Sequence, residues 1–289
     1  MTYPVILNFD QSVGEINHAN MIDVTHWQDD IRFGCSVKKF REFARSLQQL
    51  LPENHGTVLM GSGDYHHISL LLIERLNKQY SVDNPIQVII FDNHPDNMRY
   101  LFGIHCGSWV SYVASLPFVS HVHVLGITSN DIGIAHFWEN RWKPLYHKKL
   151  TYWSLNVNVL WAKKIGLDHA FRHSATPDEL IASFLSEQYH NTQPIYLSID
   201  KDVLSEEVIH TNWDQGTLQT YHILDTITSI KQRIIGSDIT GELSIWQSLN
   251  RFKRFLSSLD KQPTISPANL SNWQQEQHLL NLILLKALK

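Results

Sequence analysis

Val88-Ile89-Ile90-Phe91 runs without a polar break into Asp92-Asn93-His94-Pro95-Asp96. A short run rich in Val and Ile, apolar throughout rather than alternating, reads as a strand covered on both faces. The same pattern recurs along the chain. Val5-Ile6-Leu7-Asn8-Phe9 ends in Asp10, Ile195-Tyr196-Leu197-Ser198-Ile199 in Asp200, and Ile234-Ile235-Gly236-Ser237 in Asp238. Helical patterns fill the intervals: Val37, Phe40, Phe43, Ala44, Leu47, Leu50 and Leu51 share one face. Further helices are expected over Ile68–Leu76, Glu179–Glu187, Leu218–Lys231, Ser244–Leu259 and Asn272–Leu288. The last is strongly apolar and is expected to dock on the core, with Ser271 and Gln274 as a capping box at its start. Alternating strands and helices predict an α/β fold: three layers, α/β/α, with a mainly parallel central sheet. No linker or repeat divides residues 1–289, so one domain is expected. Ligands of such sheets bind beyond the carboxyl ends of the strands, where these aspartates stand.

Composition narrows the function classes. The chain has 289 residues, 43% of them hydrophobic, enough for a large core. Lys plus Arg total 24 against 28 Asp plus Glu, a net charge of −4 that argues against a nucleic-acid partner. Cys35 and Cys106 are too few for a disulfide framework or a Cys-rich zinc site. MTYPVILNFDQS lacks the basic start of a signal peptide, and no apolar run is long enough to span a bilayer. A cytoplasmic protein with no membrane partner is the expectation. Histidine is abundant, at 17 residues, which suits metal or acid–base chemistry.

Asp92, His94 and Asp96 alternate directly after a buried strand. In extended backbone such positions point the same way, so two carboxylates and an imidazole can converge on one or two cations. A carboxylate-rich set with some imidazole suits Mn²⁺ or Mg²⁺, with Zn²⁺ or Fe²⁺ as alternatives. Ser198-Ile199-Asp200-Lys201-Asp202 places a second carboxylate pair at another strand end. Two buried carboxylates repel, and a cation between them is the natural compensation. Gly61-Ser62-Gly63-Asp64-Tyr65-His66-His67 follows the run Thr57-Val58-Leu59-Met60, and a histidine there would point into the strand-end crevice.

These motifs, followed by Asp238-Ile239-Thr240-Gly241-Glu242, stand in an order that resembles the arginase/agmatinase (ureohydrolase) superfamily. Its signatures read G-G-D-H-S, D-A-H-x-D and S-x-D-x-D, with a later strand-end glutamate. The resemblance implies a dinuclear Mn²⁺ site, with Fe²⁺ or Zn²⁺ as alternatives, held by His66, Asp92, His94, Asp96, Asp200 and Asp202. Alignment on the following helix selects His66, with His67 as the alternative. The resemblance further implies that Asp96 orients a metal-bridging hydroxide and that Glu242 orients the substrate guanidinium. The proton shuttle falls to His105, or to Cys106 under strict alignment on Gly107. The implied activity is hydrolysis of a C–N bond in a small guanidino, amidino or related amide substrate, by a protein that analogy suggests is a homo-oligomer.

Departures from the signatures lie around the substrate. The stretch after Asp202 reads Val203-Leu204-Ser205-Glu206-Glu207, then Thr211-Asn212-Trp213-Asp214-Gln215-Gly216, of which Asn212–Gly216 is read as a pocket wall or an ordinary turn. The loop from Asp96 to His105 is short. The aromatic stretch Phe137–Trp161 is expected to supply apolar or cation–π contacts to the substrate. Two alternatives stand beside the dinuclear hydrolase: a mononuclear zinc deacetylase of the same superfamily, and a non-catalytic metal-binding protein. His121 and His123 form an H-x-H pair without a carboxylate nearby in sequence, and are read as part of a strand.

Overall fold

The computed structural model describes residues 2–246, 248, 249, 253 and 267–289. Eleven strands form among them: β1 Val5–Asn8, β2 Asn20–Asp23, β3 Gly34–Cys35, β4 Val58–Leu59, β5 Ile86–Phe91, β6 Ile104–His105, β7 Val119–Ile127, β8 Leu150–Leu155, β9 Phe171–Ser174, β10 Ile195–Asp200 and β11 Ile234–Thr240. Nine join one sheet in the order β2-β1-β4-β11-β10-β5-β7-β8-β9. Every pairing within it is parallel. The short pair β3 and β6 is antiparallel and stands apart.

The unbroken apolar runs explain the layering. Successive residues of a strand point to opposite faces. Val88 and Ile90 enter a core shared with Phe40, Phe43 and Val110, while Ile89 and Phe91 enter a second core with Phe184, Ile223 and Leu284. Helices Val37–Leu50, Ser69–Glu74 and Val110–Ala114 cover the first face. Helices Pro177–Gln188, Thr220–Ile230 and Pro267–Leu288 cover the second. This is the expected three-layer α/β/α architecture.

Some local expectations need correction. The last helix begins at Pro267, so Ser271 lies inside it and is no cap; Gln274 instead donates to the Leu243 carbonyl at 2.9 Å. The helix expected over Ser244–Leu259 lies mostly outside the described residues. The aromatic stretch divides into a 3-10 turn Phe137–Glu139, a short helix Lys143–Tyr146 and strand β8, and Trp161 opens a further short helix. Tyr152 and Trp153 are core residues on opposite faces of the sheet. His121 and His123 lie in β7, held by Thr151 and Trp153 respectively. No described helix is long and apolar enough to cross a membrane.

Candidate metal centre

Strands β5 and β10 are neighbours with Phe91 opposite Ile199, so Asp92 and Asp200 leave the sheet side by side. The 3-10 turn Gly63–Ile68, after β4, brings His66 to the same point. Its Nδ1 lies 3.1 Å from Asp92 Oδ2, 3.0 Å from Asp96 Oδ2 and 3.4 Å from Asp200 Oδ2. His94 Nδ1 lies 3.0 Å from Asp202 Oδ2 and 3.6 Å from Asp92 Oδ1. Two ligand-capable groups result, His66 with Asp92 and Asp96, and Asp92 with His94 and Asp202. Asp92 belongs to both. His67 turns the other way and packs on Phe40, with ring centroids 5.8 Å apart.

The convergence of Asp92, His94 and Asp96 does not come from extended backbone. The chain bends after β5, and Asp96 adopts φ +44°, a left-handed conformation uncommon for a residue with a side chain. Held there by Trp109 Nε1, which donates to Asp96 Oδ2 at 2.7 Å, the carboxylate returns to the strand end. Gly241 (φ +92°) is needed for close approach: a Cβ there would stand 2.5 Å from Asp200 Oδ1.

The electrostatics of this set call for cations. Burial, and then the Asp92 charge, push the Asp96 carboxyl up to about 7. Burial and the Asp202 charge hold Asp200 well above the usual carboxylate range. Burial favours a neutral His94 ring, but the Asp202 carboxylate outweighs it and raises the ring well above the usual histidine value. The four carboxylates thus resist ionising together unless positive charge sits among them. Two buried atoms, His66 Nδ1 and Asp92 Oδ2, lack a properly directed hydrogen bond. An all-oxygen and imidazole donor set with such orphaned atoms fits divalent cations of the Mn²⁺ class.

The outer ring atoms of both histidines are also engaged. His66 Nε2 lies 3.0 Å from Ser198 Oγ, which donates to Asp238 Oδ1 at 2.7 Å. His94 Nε2 lies 2.9 Å from Asp214 Oδ1. Each ring therefore turns Nε2–H to an oxygen and leaves Nδ1 facing the carboxylates. Ser198, Asp238 and Asp214 were not among the expected site residues. Asp238 closes an apolar run, as Asp92 and Asp200 do, whereas Asp214 carries no sequence signal beyond its loop.

Glu242 does not border the cavity at this site. It is 1% exposed, with Oε1 2.6 Å from Lys201 Nζ and 2.7 Å from Asn281 Nδ2 of the C-terminal helix. Its Oε2 is buried without a hydrogen-bond partner. Lys201 stands between Asp200 and Asp202 in sequence but points behind them, fully buried.

A cavity of about 430 Å³ opens over the carboxylates. His105 and Cys106 both line it, and Trp213 reaches the lining from the segment 212–216. Trp213 Nε1 donates to Asp64 Oδ1 at 3.1 Å, and Asp64 Oδ2 accepts from the buried Arg32 Nε at 2.6 Å. The other wall is residues 98–102, tied by the Met98–Asn140 bridge and by Arg99 N donating to Glu139 O. From the aromatic stretch only Glu139 and Asn140 reach the lining, and the cation–π partner of Trp142 is Arg99, at 5.9 Å. His105 Nδ1 accepts the Gly107 N–H at 2.9 Å. Its proton therefore resides on Nε2. Burial lowers its pKa to about 4, so at neutral pH the ring is an uncharged hydrogen-bond donor rather than an imidazolium acid.

Comparison with known proteins meets this geometry. The Arginase family model matches residues 5–241. The chain belongs to the arginase family. An uncharacterized protein of Thermotoga maritima is 26% identical over 235 residues, covering 80% of this chain and 76% of that protein. The formimidoylglutamase of Bacillus subtilis subsp. subtilis str. 168 shares the fold at TM-score 0.56 and 16% identity, covering 100% of this chain and 88% of that one. A single-residue variant of the Trypanosoma cruzi formiminoglutamase with Mn²⁺ shares it at TM-score 0.52 and 12% identity, covering 97% and 92%. This arginase-family chain thus joins a hydrolase fold to a set of metal-capable residues at the strand ends.

Proposed function

We propose that this chain is a two-metal hydrolase that cleaves the C–N bond of a small guanidino, amidino or amide substrate. The observation that carries the reading is the convergence of six candidate ligands at one strand-end site, four of them carboxylates. His66 and Asp96 would hold one cation and His94 and Asp202 the other, with Asp92 and Asp200 available to both. When bound, a pair of Mn²⁺ ions supplies Lewis acidity and a water activated at neutral pH. Asp96, fixed by Trp109, would orient such a water. Ser198 and Asp214 hold the two imidazoles in the tautomer that ligation needs. Trp213 and residues 98–102 enclose the substrate and exclude bulk water. Glu242 acts from behind the site, pairing with Lys201 and so anchoring the loop that carries Asp200 and Asp202.

Metal content per chain, measured after purification without chelator, tests this reading together with amine or ammonia release from a substrate panel. Two equivalents of manganese are expected. Asp200→Asn should lose metal and turnover together. About one zinc would favour the mononuclear deacetylase instead, and no metal uptake would refute the site. Metal binding without turnover of any amidine or amide would favour the non-catalytic reading.

A further inference from the structure

The cavity wall beside the metal set offers a proton, not an acceptor. Gly107 N–H occupies His105 Nδ1 at 2.9 Å, which leaves Nε2–H as the proton that His105 can give, with the weak acceptor Cys106 Sγ 3.8 Å away for a stronger acceptor to displace. The site is close: a Cβ on Gly107 would lie 3.3 Å from His105 Nδ1 and 3.8 Å from Asp96 Oδ1. The lining carboxylates outside the metal set are Asp131 and Glu139, both part-exposed, and Glu139 already lies 3.0 Å from His136 Nδ1. Lys201 and Asn281 engage Glu242, which does not border the cavity. A guanidinium or amidinium carries only N–H donors. At this wall it would set N–H against N–H, and the lining carboxylates left for its charge are Asp131 and Glu139, both part-exposed and Glu139 already paired with His136. A carbonyl oxygen accepts the His105 proton directly. Phe33, Met98, Tyr100, Phe102 and Trp213 give the lining an apolar share, and Arg99 adds a positive charge that disfavours a cationic substrate. Phe102 is 58% exposed at the mouth, where it would cover an apolar substrate body.

We propose that this site takes an uncharged carboxamide on an apolar body, with the amide oxygen accepting from His105 Nε2–H, and does not take a guanidinium or amidinium. The inference rests on the hydrolase reading above. In the reaction, water oxygen bonds to the carbonyl carbon and the C–N bond breaks. The bonding pair leaves with nitrogen, both water protons end on the amine, and the acid departs as a carboxylate. His105 keeps its proton throughout and stabilises the charge that develops on oxygen.

Benzamide and benzamidinium test the idea, because they share a ring and a planar carbon and differ in carbonyl against amidinium. Both release ammonia on hydrolysis, so one assay with the manganese-loaded protein ranks them. Benzamide should be favoured by roughly 10⁴-fold in kcat/KM, the scale on which a buried hydrogen-bonding site rejects a mismatched group. Calorimetric binding of the same two compounds gives the ranking if neither is turned over. Equal or better use of benzamidinium would overturn the proposal. His105→Phe keeps the ring contacts with Phe33 and Tyr100 but removes the donor. It should lower kcat/KM for benzamide about 100-fold at unchanged metal content. An unchanged rate would also overturn the proposal. Metal content is read on the same samples, so failure of the metal site is distinguished from a wrong substrate class.

Discussion

Removing the Asp214 carboxylate should separate metal affinity from fold stability. Asp214 Oδ1 sits 2.9 Å from His94 Nε2, while its carbonyl accepts from Asn93 Nδ2 at 2.9 Å. Asp214→Ala keeps the backbone contact and removes the partner of the imidazole, together with a long 3.4 Å contact from Asn93 Nδ2 to Asp214 Oδ2. The Asp214 side chain is 72% exposed, so as an ion pair it contributes no more than about 1 kcal/mol to folding. Its effect on His94 is of another kind. Without it the ring is free to rotate or to change tautomer, and Nδ1 no longer faces Asp92 and Asp202 at all times. Loss of such a partner typically weakens metal binding roughly 10- to 100-fold, or about 1.4 to 2.8 kcal/mol. Calorimetric titration of metal-free protein with Mn²⁺ should show one equivalent close to wild type and one weakened by that factor. The urea midpoint of the metal-free variant should scarcely move. Asp214→Asn, whose amide oxygen still accepts from Nε2–H, should recover part of the affinity. Two wild-type equivalents in Asp214→Ala would refute the argument, and so would an equal weakening of both.

Two further outcomes follow from the buried charges and rings. Lys201→Met leaves the Glu242 carboxylate buried opposite a methyl group, which should cost about 3–5 kcal/mol in urea unfolding. The double change Lys201→Met with Glu242→Gln should regain most of that loss, and a single variant as stable as wild type would show that the pair carries no such weight. For His121, burial lowers the pKa to about 4, below the unfolded value of about 6.5. The unfolded chain then takes up the proton first, so stability is lost as pH falls from about 6.5 towards 4. His121→Gln lacks this titration, so wild type should lose up to about 2 kcal/mol relative to it between pH 7.5 and pH 5 in urea midpoints. Parallel pH profiles of the two proteins would exclude this assignment.

The layering was legible because the chain advertises it. Val88–Phe91 and Ile195–Ile199 are apolar at nearly every position, which only a sheet buried on both faces demands. The candidate ligands were legible for a related reason: a carboxylate closing a buried strand is costly without a partner. The choice between His66 and His67 was not. Adjacent residues in a 3-10 turn diverge, and only the placement of that turn beside Ser198 of β10 sends one ring to the aspartates and the other to Phe40. The start of the C-terminal helix was misjudged because Ser271 and Gln274 imitate a cap, while the contact of Gln274 with Leu243 shows that it lies within the helix and faces the core side.

From sequence alone come the parallel sheet, its two apolar faces and the row of carboxylates at its edge, since each is written in residues adjacent along one strand. Tertiary structure decided what lies opposite each group. Lys201 and Glu242 are far apart in sequence and meet only because β10 and β11 are neighbours in the sheet. Asp214 and His94 meet only because the loop after β10 folds back over the end of β5. The His105 proton is an exception, assigned to Nε2 by a backbone N–H two residues away in the turn that follows β6. Short-range pattern thus determines which elements form and which faces they bury. Charge partners, and the tautomers of His66 and His94, depend on contacts between distant segments, and those arise only once the sheet has ordered its strands.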